Sequence, residues 1–261
     1  MKKFLLSIPL ILSLAACDNI KEDDRYIEIG DISVERRVLL EEFTGQRCTN
    51  CPAAHAIIER LEEQYGDDLI VVSIHAGSFG IAAPNGLMQK EGDEYANHWN
   101  ITAYPEGVVD RLGSSLGADA WAAAIRDEAG KETPVQLDLQ AGLWPDGKID
   151  ITTEILSSAD LDGALQLWIV ENDIVGFQID GDNRIPDYVH NNVFRACVNG
   201  LWGQDLKLKA NVLESVSNTI EFDETWNIEN LSVVGFYYNT GSGVIQVNRC
   251  NVKVFLTEDN L

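Results

Sequence analysis

The chain has 261 residues, 45% hydrophobic and 23% charged, which excludes a disordered polymer and supplies apolar material for one large or two ordinary domains. Acidic residues outnumber basic ones 42 to 19, a formal charge of −23. That balance excludes an electrostatic grip on nucleic acid and a polybasic hold on anionic lipid.

The first element is an export signal. Met1-Lys2-Lys3 is a positive start, Phe4 to Leu14 an apolar run, and Leu14-Ala15-Ala16-Cys17 a small-residue ending. The run is about half the roughly 20 residues a bilayer core demands, so it reads as a cleaved signal rather than a span. Leu14-Ala15-Ala16-Cys17 resembles the bacterial lipobox. The resemblance implies that residues 1–17 are the lipoprotein signal and that Cys17 becomes the acylated first residue of the mature chain, a membrane anchor made of lipid. A plain cleaved signal with an incidental cysteine is the alternative. Processing removes Lys2 and Lys3 and leaves 17 basic against 42 acidic residues, so charge would repel the membrane that lipid must hold. Residues 18–33, opening Asp18-Asn19-Ile20-Lys21-Glu22-Asp23-Asp24, read as a solvated acidic tether. Lysine followed by acids at this place also resembles the surface-export signal of some outer-membrane lipoproteins.

From 34 to 131 strand-like and helix-like patterns alternate, as in an α/β domain. Val38-Leu39-Leu40 leading to Phe43 predicts a buried strand and Leu69 to Ile74 another. Between them Ala54, Ile57, Ile58, Leu61 and Tyr65 fall at helical spacing, with Gly66 as the stop. A short helix is expected over 88–99 inside the insertion that separates Ile74 from Ile101, either a lid or a solvated loop. Gly107-Val108-Val109-Asp110 predicts a third strand, and a further helix follows over 120–129. From 132 to 261 the rhythm becomes short alternating runs broken by turns, such as Val135-Gln136-Leu137-Asp138-Leu139 before Pro145-Asp146-Gly147. An all-β immunoglobulin-like sandwich domain is the expectation for this half. Asp180-Gly181-Asp182-Asn183 reads as a turn, since the later bidentate Glu of a calcium loop is missing.

The chemistry centres on Cys48-Thr49-Asn50-Cys51, where the first strand gives way to the first helix, with Pro52 suited to the helix's first turn. Unpaired N–H groups and the helix dipole stabilise a thiolate there, and Arg47 adds a positive charge. In a redox reading Cys48 attacks and Cys51 resolves. A structural disulfide and a zinc site are the other readings of the pair. Zinc wants two more ligands, and Cys197 and Cys250 stand alone while His55 lies on the helix. Cys197 and Cys250 are a candidate disulfide in an oxidising exported setting, or two buried free thiols. His75 and His98 have no nameable partner, and His190 with Arg195 forms a candidate polar cluster between the halves.

Val38 to Pro52 resembles the active-site segment of the thioredoxin superfamily. The resemblance implies that Glu42, six residues before Cys48, is the buried acid that accepts the Cys51 proton. A carboxylate drawn from water is a better base for that purpose. It implies too that Pro105, in Thr102-Ala103-Tyr104-Pro105, is the cis-proline shaping a peptide groove. Gln46-Arg47 departs from the usual aromatic before the first cysteine, and Glu106 from the usual small hydroxyl residue after the proline. The blocks Tyr188-Val189-His190-Asn191-Asn192-Val193-Phe194-Arg195 and Val233 to Thr240, with the lipobox and the CxxC run, resemble the twenty-eight-kilodalton outer-membrane-protein family of bacterial lipoproteins. That likeness implies a thioredoxin-like domain followed by a β domain at the outer membrane, on its periplasmic or cell-surface face, in a family described as surface proteins with adhesive or receptor roles. Two functions follow as expectations: thiol–disulfide exchange on exported proteins, needing no cofactor or metal, and a surface binding or adhesion protein that uses the thioredoxin-like fold as a scaffold.

Overall fold

The computed structural model describes residues 34–255. The signal, Cys17 and the tether lie outside the described residues, as do residues 256–261. Within 34–131 the elements are β1 (Val34–Glu35), β2 (Val38–Thr44), α1 (Cys51–Tyr65), β3 (Leu69–His75), α2 (Lys90–His98), β4 (Glu106–Val109), β5 (Leu116–Gly117) and α3 (Ala118–Glu128). Then come β6 (Glu132–Thr133), β7 (Val135–Leu143), β8 (Lys148–Ser157), β9 (Leu161–Glu171), β10 (Ile174–Asp180), β11 (Asn183–His190) and β12 (Val193–Cys197). The last are β13 (Gln204–Leu208), β14 (Leu213–Glu221), β15 (Leu231–Asn239) and β16 (Gly243–Val254).

All seven residues of β2 and all seven of β3 are buried, as expected of strands covered on both faces, and the two run parallel. One face carries α1 and α3: Val38, Leu40, Val71 and Val109 pack with Ala54, Ile58, Leu61, Trp121 and Ile125. The opposite face, through Leu39, Phe43, Ile70, Val72 and Ile74, meets Tyr95 of α2 and also Trp168, Val170, Val234 and Phe236 of β9 and β15. This second cluster is shared by both halves of the chain.

The fold is mixed α/β with a large mixed sheet. Twelve strands are joined by hydrogen bonds in the order β14-β8-β7-β16-β15-β9-β12-β3-β2-β4-β5, with β13 on β9. The strands expected as a separate sandwich therefore extend the sheet that begins at β2. The junction is β12, antiparallel to β9 and parallel to β3 at Val193 and Ser73, reinforced by Ser73 N–H donating to the Asn192 carbonyl at 2.7 Å. A turn of direction occurs within β16, whose residues 243–251 pair with β15 while Val252 to Val254 pair with β7. That switch lets the alternating inward residues of β7 and β8, Val135, Leu137, Ile149, Ile151 and Ile155, bury against Leu165, Leu167, Ile169 and Val233.

β10 and β11 stand apart as a two-stranded hairpin that pairs with no strand of the large sheet. Its turn is at Gly181 (φ 57°), in the Asp180–Asn183 run.

Cys197 and Cys250 are both free, so the candidate bond between them is corrected. The reason is their placement: Cys197 packs with the cluster shared by the two halves, whereas Cys250 packs with the β7–β8 cluster. Burial pushes both thiols up to about 11, which keeps them protonated and unreactive at neutral pH.

Candidate functional site: a covered disulfide at the start of a helix

The chain leaves β2 at Thr44, turns through Gly45-Gln46-Arg47 and enters α1 at Cys51, with Pro52 in the first turn. Cys48 and Cys51 are joined in a disulfide. Cys48 N–H donates to the Gly45 carbonyl at 2.9 Å, and Arg47 N–H to that of Phe79 at 2.9 Å. Arg47 is exposed, Cys51 is fully buried and Cys48 is only 2% exposed. The helix start expected beneath the pair is present, but the attacking sulfur's residue is covered.

Two segments flank the loop. On one side is the insertion between β3 and β4, where Gln46 Oε1 accepts from Leu87 N–H at 3.0 Å. A methyl group on Gly45 would lie 2.5 Å from the Phe79 backbone, so the contact there admits only glycine. On the other is the β10–β11 hairpin. Ile179 N–H donates to the Gln46 carbonyl (2.9 Å) and Gly181 N–H to the Thr49 carbonyl (3.2 Å). The Gln46 amide donates to the Phe177 carbonyl (3.1 Å), and the fully buried Gln178 amide donates to the Cys48 carbonyl (3.0 Å). Sequence reasoning missed Gln46 and Gln178. No motif marks these roles, because the bonds that join the two segments, Gln46 to Phe177 and Gln178 to Cys48, span about 130 residues.

Glu42 is fully buried on β2. Its Oε2 accepts from Ser73 Oγ at 2.6 Å, and its Oε1 is 3.2 Å from His55 Nε2. His55, one helical turn after Cys51, also lies 3.1 Å from Thr44 Oγ1, and its Nδ1 is 2.7 Å from the Tyr188 hydroxyl of the hairpin. Burial disfavours the His55 cation, but the adjoining Glu42 carboxylate outweighs it, and the histidine's pKa stands above its ordinary 6.5. The only sequence signal for this residue was its position four after Cys51, on the same side of the helix. Pro105 follows Tyr104 through a cis bond and precedes Glu106, which pairs with Phe43. It therefore sits at the same end of the sheet as the CxxC loop.

His190 does not join Arg195 in a cluster: Arg195 pairs with Glu171 at 3.1 Å, and His190 packs edge-on against His75 with ring centroids 5.3 Å apart. Each of these two histidines is 2% exposed. Burial, then the neighbouring His55, pulls His190 down to about 4; burial, then His190, holds His75 well below 6.5. Both are neutral in the fold at pH 6 while the unfolded chain would protonate them. Stability is therefore complete above the unfolded value of about 6.5 and declines as the pH falls toward the folded values. Replacing His190 by Gln should flatten that acid limb by one proton, about 1.4 kcal/mol per pH unit between roughly 6.5 and 4, in urea melts of variant and parent at stepped pH.

Among the described residues no group of three His, Cys, Asp or Glu side chains is arranged to hold a metal ion.

A family model described as outer membrane protein Omp28 matches residues 92–255, more than half the chain. The chain belongs to the Omp28 outer membrane protein family. Membership assigns it to the outer membrane, while the matched segment begins after the CxxC loop. Among solved structures, HBP35 of Porphyromonas gingivalis is similar with a TM-score of 0.70 at 17% identity, covering 87% of this chain and 79% of that one. A protein from Agrobacterium tumefaciens is similar with a TM-score of 0.52 at 12% identity, over 87% of this chain and 98% of that one. These likenesses show the fold of this Omp28-family chain. A domain of the outer membrane lipoprotein Omp28 from Porphyromonas gingivalis aligns over 48% of this chain and 92% of that one, at 20% identity and a TM-score of 0.35. No curated protein matches the chain.

Proposed function

We propose that this protein is an outer-membrane lipoprotein, anchored through Cys17, whose residues 34–131 form a thioredoxin-like region that performs thiol–disulfide exchange on exported proteins. Within residues 132–261, the strands from β7 to β16 form its immunoglobulin-like β region. The observation that carries the reading is a Cys48–Cys51 disulfide between the loop and the first residue of α1, on the same strand–loop–helix unit that holds the Glu42–His55 pair. The parallel β2–β3 pair, antiparallel β4 and the cis bond before Pro105 support it. In the reducing direction the Cys48 thiolate attacks a substrate disulfide and one substrate thiolate leaves. Cys51 then attacks the Cys48 sulfur, its proton passing to Glu42, and the second substrate thiolate leaves as the Cys48–Cys51 bond forms. Arg47, exposed beside Cys48, favours the thiolate.

A second reading rests on the burial of Cys48: the disulfide is a staple and the protein a surface binding or adhesion module. Cysteine variants separate the two. Under exchange, Cys48→Ser abolishes reduction of a model protein disulfide and Cys51→Ser accumulates mixed disulfides. Under the scaffold reading, Cys48→Ser lowers thermal stability, no adduct forms, and partner capture from intact cells is unchanged. A reduction potential far below about −300 mV would also favour the staple.

A further inference from the structure

The β10–β11 hairpin is bonded to the disulfide loop rather than to the large sheet. It adds no ladder to the large sheet, and between Val175 and Val189 only Gln178 is buried. Its two roots, Asp173 and Asn192, both have left-handed backbones (φ 56° and 57°). Asn192 is pinned there by Glu62 (2.9 Å) and Arg249 (3.0 Å). Apart from His190, which packs on His75 close to the second root, the hairpin is fastened through the site itself: backbone to Gln46 and Thr49, Gln178 to Cys48, Tyr188 to His55. Few buried apolar contacts and polar fastenings at the tip define a segment that opens locally, well before the sheet unfolds.

The bonding pattern identifies what the segment occupies. Ile179, near the end of β10, and Gly181, in the turn that follows it, present their N–H groups to the carbonyls of Gln46 and Thr49. These are main-chain bonds to carbonyls of the disulfide loop, which backbone donors of a bound peptide could also make. We propose that the β10–β11 hairpin is a built-in occupant of the peptide-docking edge of the disulfide loop. It must swing away about Asp173 and Asn192 before Cys48 can exchange, and its place is taken by an extended polypeptide strand of the substrate. The proposal rests on the exchange reading and adds its regulation: covalent chemistry at Cys48 is gated by displacement of a strand, so only a partner able to supply replacement backbone donors gains efficient access.

The test begins with the unmodified protein. Hydrogen exchange at the Ile179 and Gly181 amides should proceed by local opening, on the order of a hundredfold or more faster than at Val170 and Val234 in the large sheet. Equal rates, limited by global unfolding, would overturn the gate. Next, the rate at which dithiothreitol reduces Cys48–Cys51 is measured in Gln178→Ala, which removes the side-chain fastening, and in Val175→Ser, an exposed hairpin position. An increase of about tenfold in the first and none in the second is expected, the effect of losing one ordinary net hydrogen bond. An unchanged rate in Gln178→Ala would refute the proposal. Finally, loading Cys48 of Cys51→Ser with an activated peptide disulfide should abolish protection at Ile179 and Gly181, and retained protection would mean that the peptide docks elsewhere. These readouts need no turnover, so a gate without catalysis, or catalysis without a gate, would each be recognised.

Discussion

Replacing Arg111 by Met should destabilise the fold by about 3–5 kcal/mol, the usual consequence of leaving one member of a buried ion pair without the other. Arg111 follows β4 and donates to Glu41 Oε1 at 2.7 Å; Glu41 is fully buried on β2. The two terminal nitrogens of the guanidinium meet no second carboxylate among the described residues, and the Tyr238 hydroxyl lies beside them. They face aromatic rings instead: Tyr95, Trp168, Trp202, Phe236 and Tyr238 surround the cation with centroids 4.4–5.9 Å away. Such faces stabilise a desolvated cation by roughly 2 kcal/mol or more. The cage draws on α2, β9, β15 and the segment before β13, so Arg111 ties the α/β half to the β half at the shared core. A thermal melt should fall by about 10 °C or more. The double variant Glu41→Gln with Arg111→Met should recover most of the loss, because the buried charge goes with its partner. A single variant as stable as the parent would show that the Glu41–Arg111 pair makes no net contribution to stability.

The second large effect is expected against Asp110, the residue before Arg111. Gly243 opens β16 with φ 64°, and a Cβ there would lie 2.2 Å from the Asp110 carbonyl oxygen, which accepts from Val244 N–H at 2.7 Å. Asp110 and Arg111 themselves have left-handed backbones (φ 49° and 55°), so this corner cannot retreat without disturbing the caged cation. Gly243→Ala combines an unfavourable backbone with a backbone clash, for an expected loss of about 2–4 kcal/mol. Gly241→Ala, in the same turn, places its Cβ 3.7 Å from the nearest neighbour and should change stability by less than about 0.5 kcal/mol. Urea denaturation of the pair gives the contrast, and equal midpoints would mean that the β16 turn does not bear on the corner.

Several elements were legible because local rules suffice for them. Continuous apolar runs announce β2 and β3, helical spacing from Ala54 to Leu61 announces the buried face of α1, and strict alternation announces β7 and β8. Helices expected over 88–99 and 120–129 are α2 and α3 within two residues at each boundary. The change of rhythm near residue 132 is equally real, yet it does not interrupt the sheet. Rhythm reports which face of a strand is buried, whereas continuity depends on which edge is left unpaired, and the β12 edge that meets β3 lies about 120 residues further along the chain.

Read alone, the residues determine an exported, acidic chain with a CxxC pair at a strand–helix junction, since spacing, charge and capping act over a few positions. Only the tertiary structure decides that His55 meets Glu42, that Cys197 and Cys250 face different cores, and that Gln178 and its hairpin cover the disulfide. These arrangements are set by how packed faces and free backbone groups find partners on other elements, and no local pattern encodes that choice.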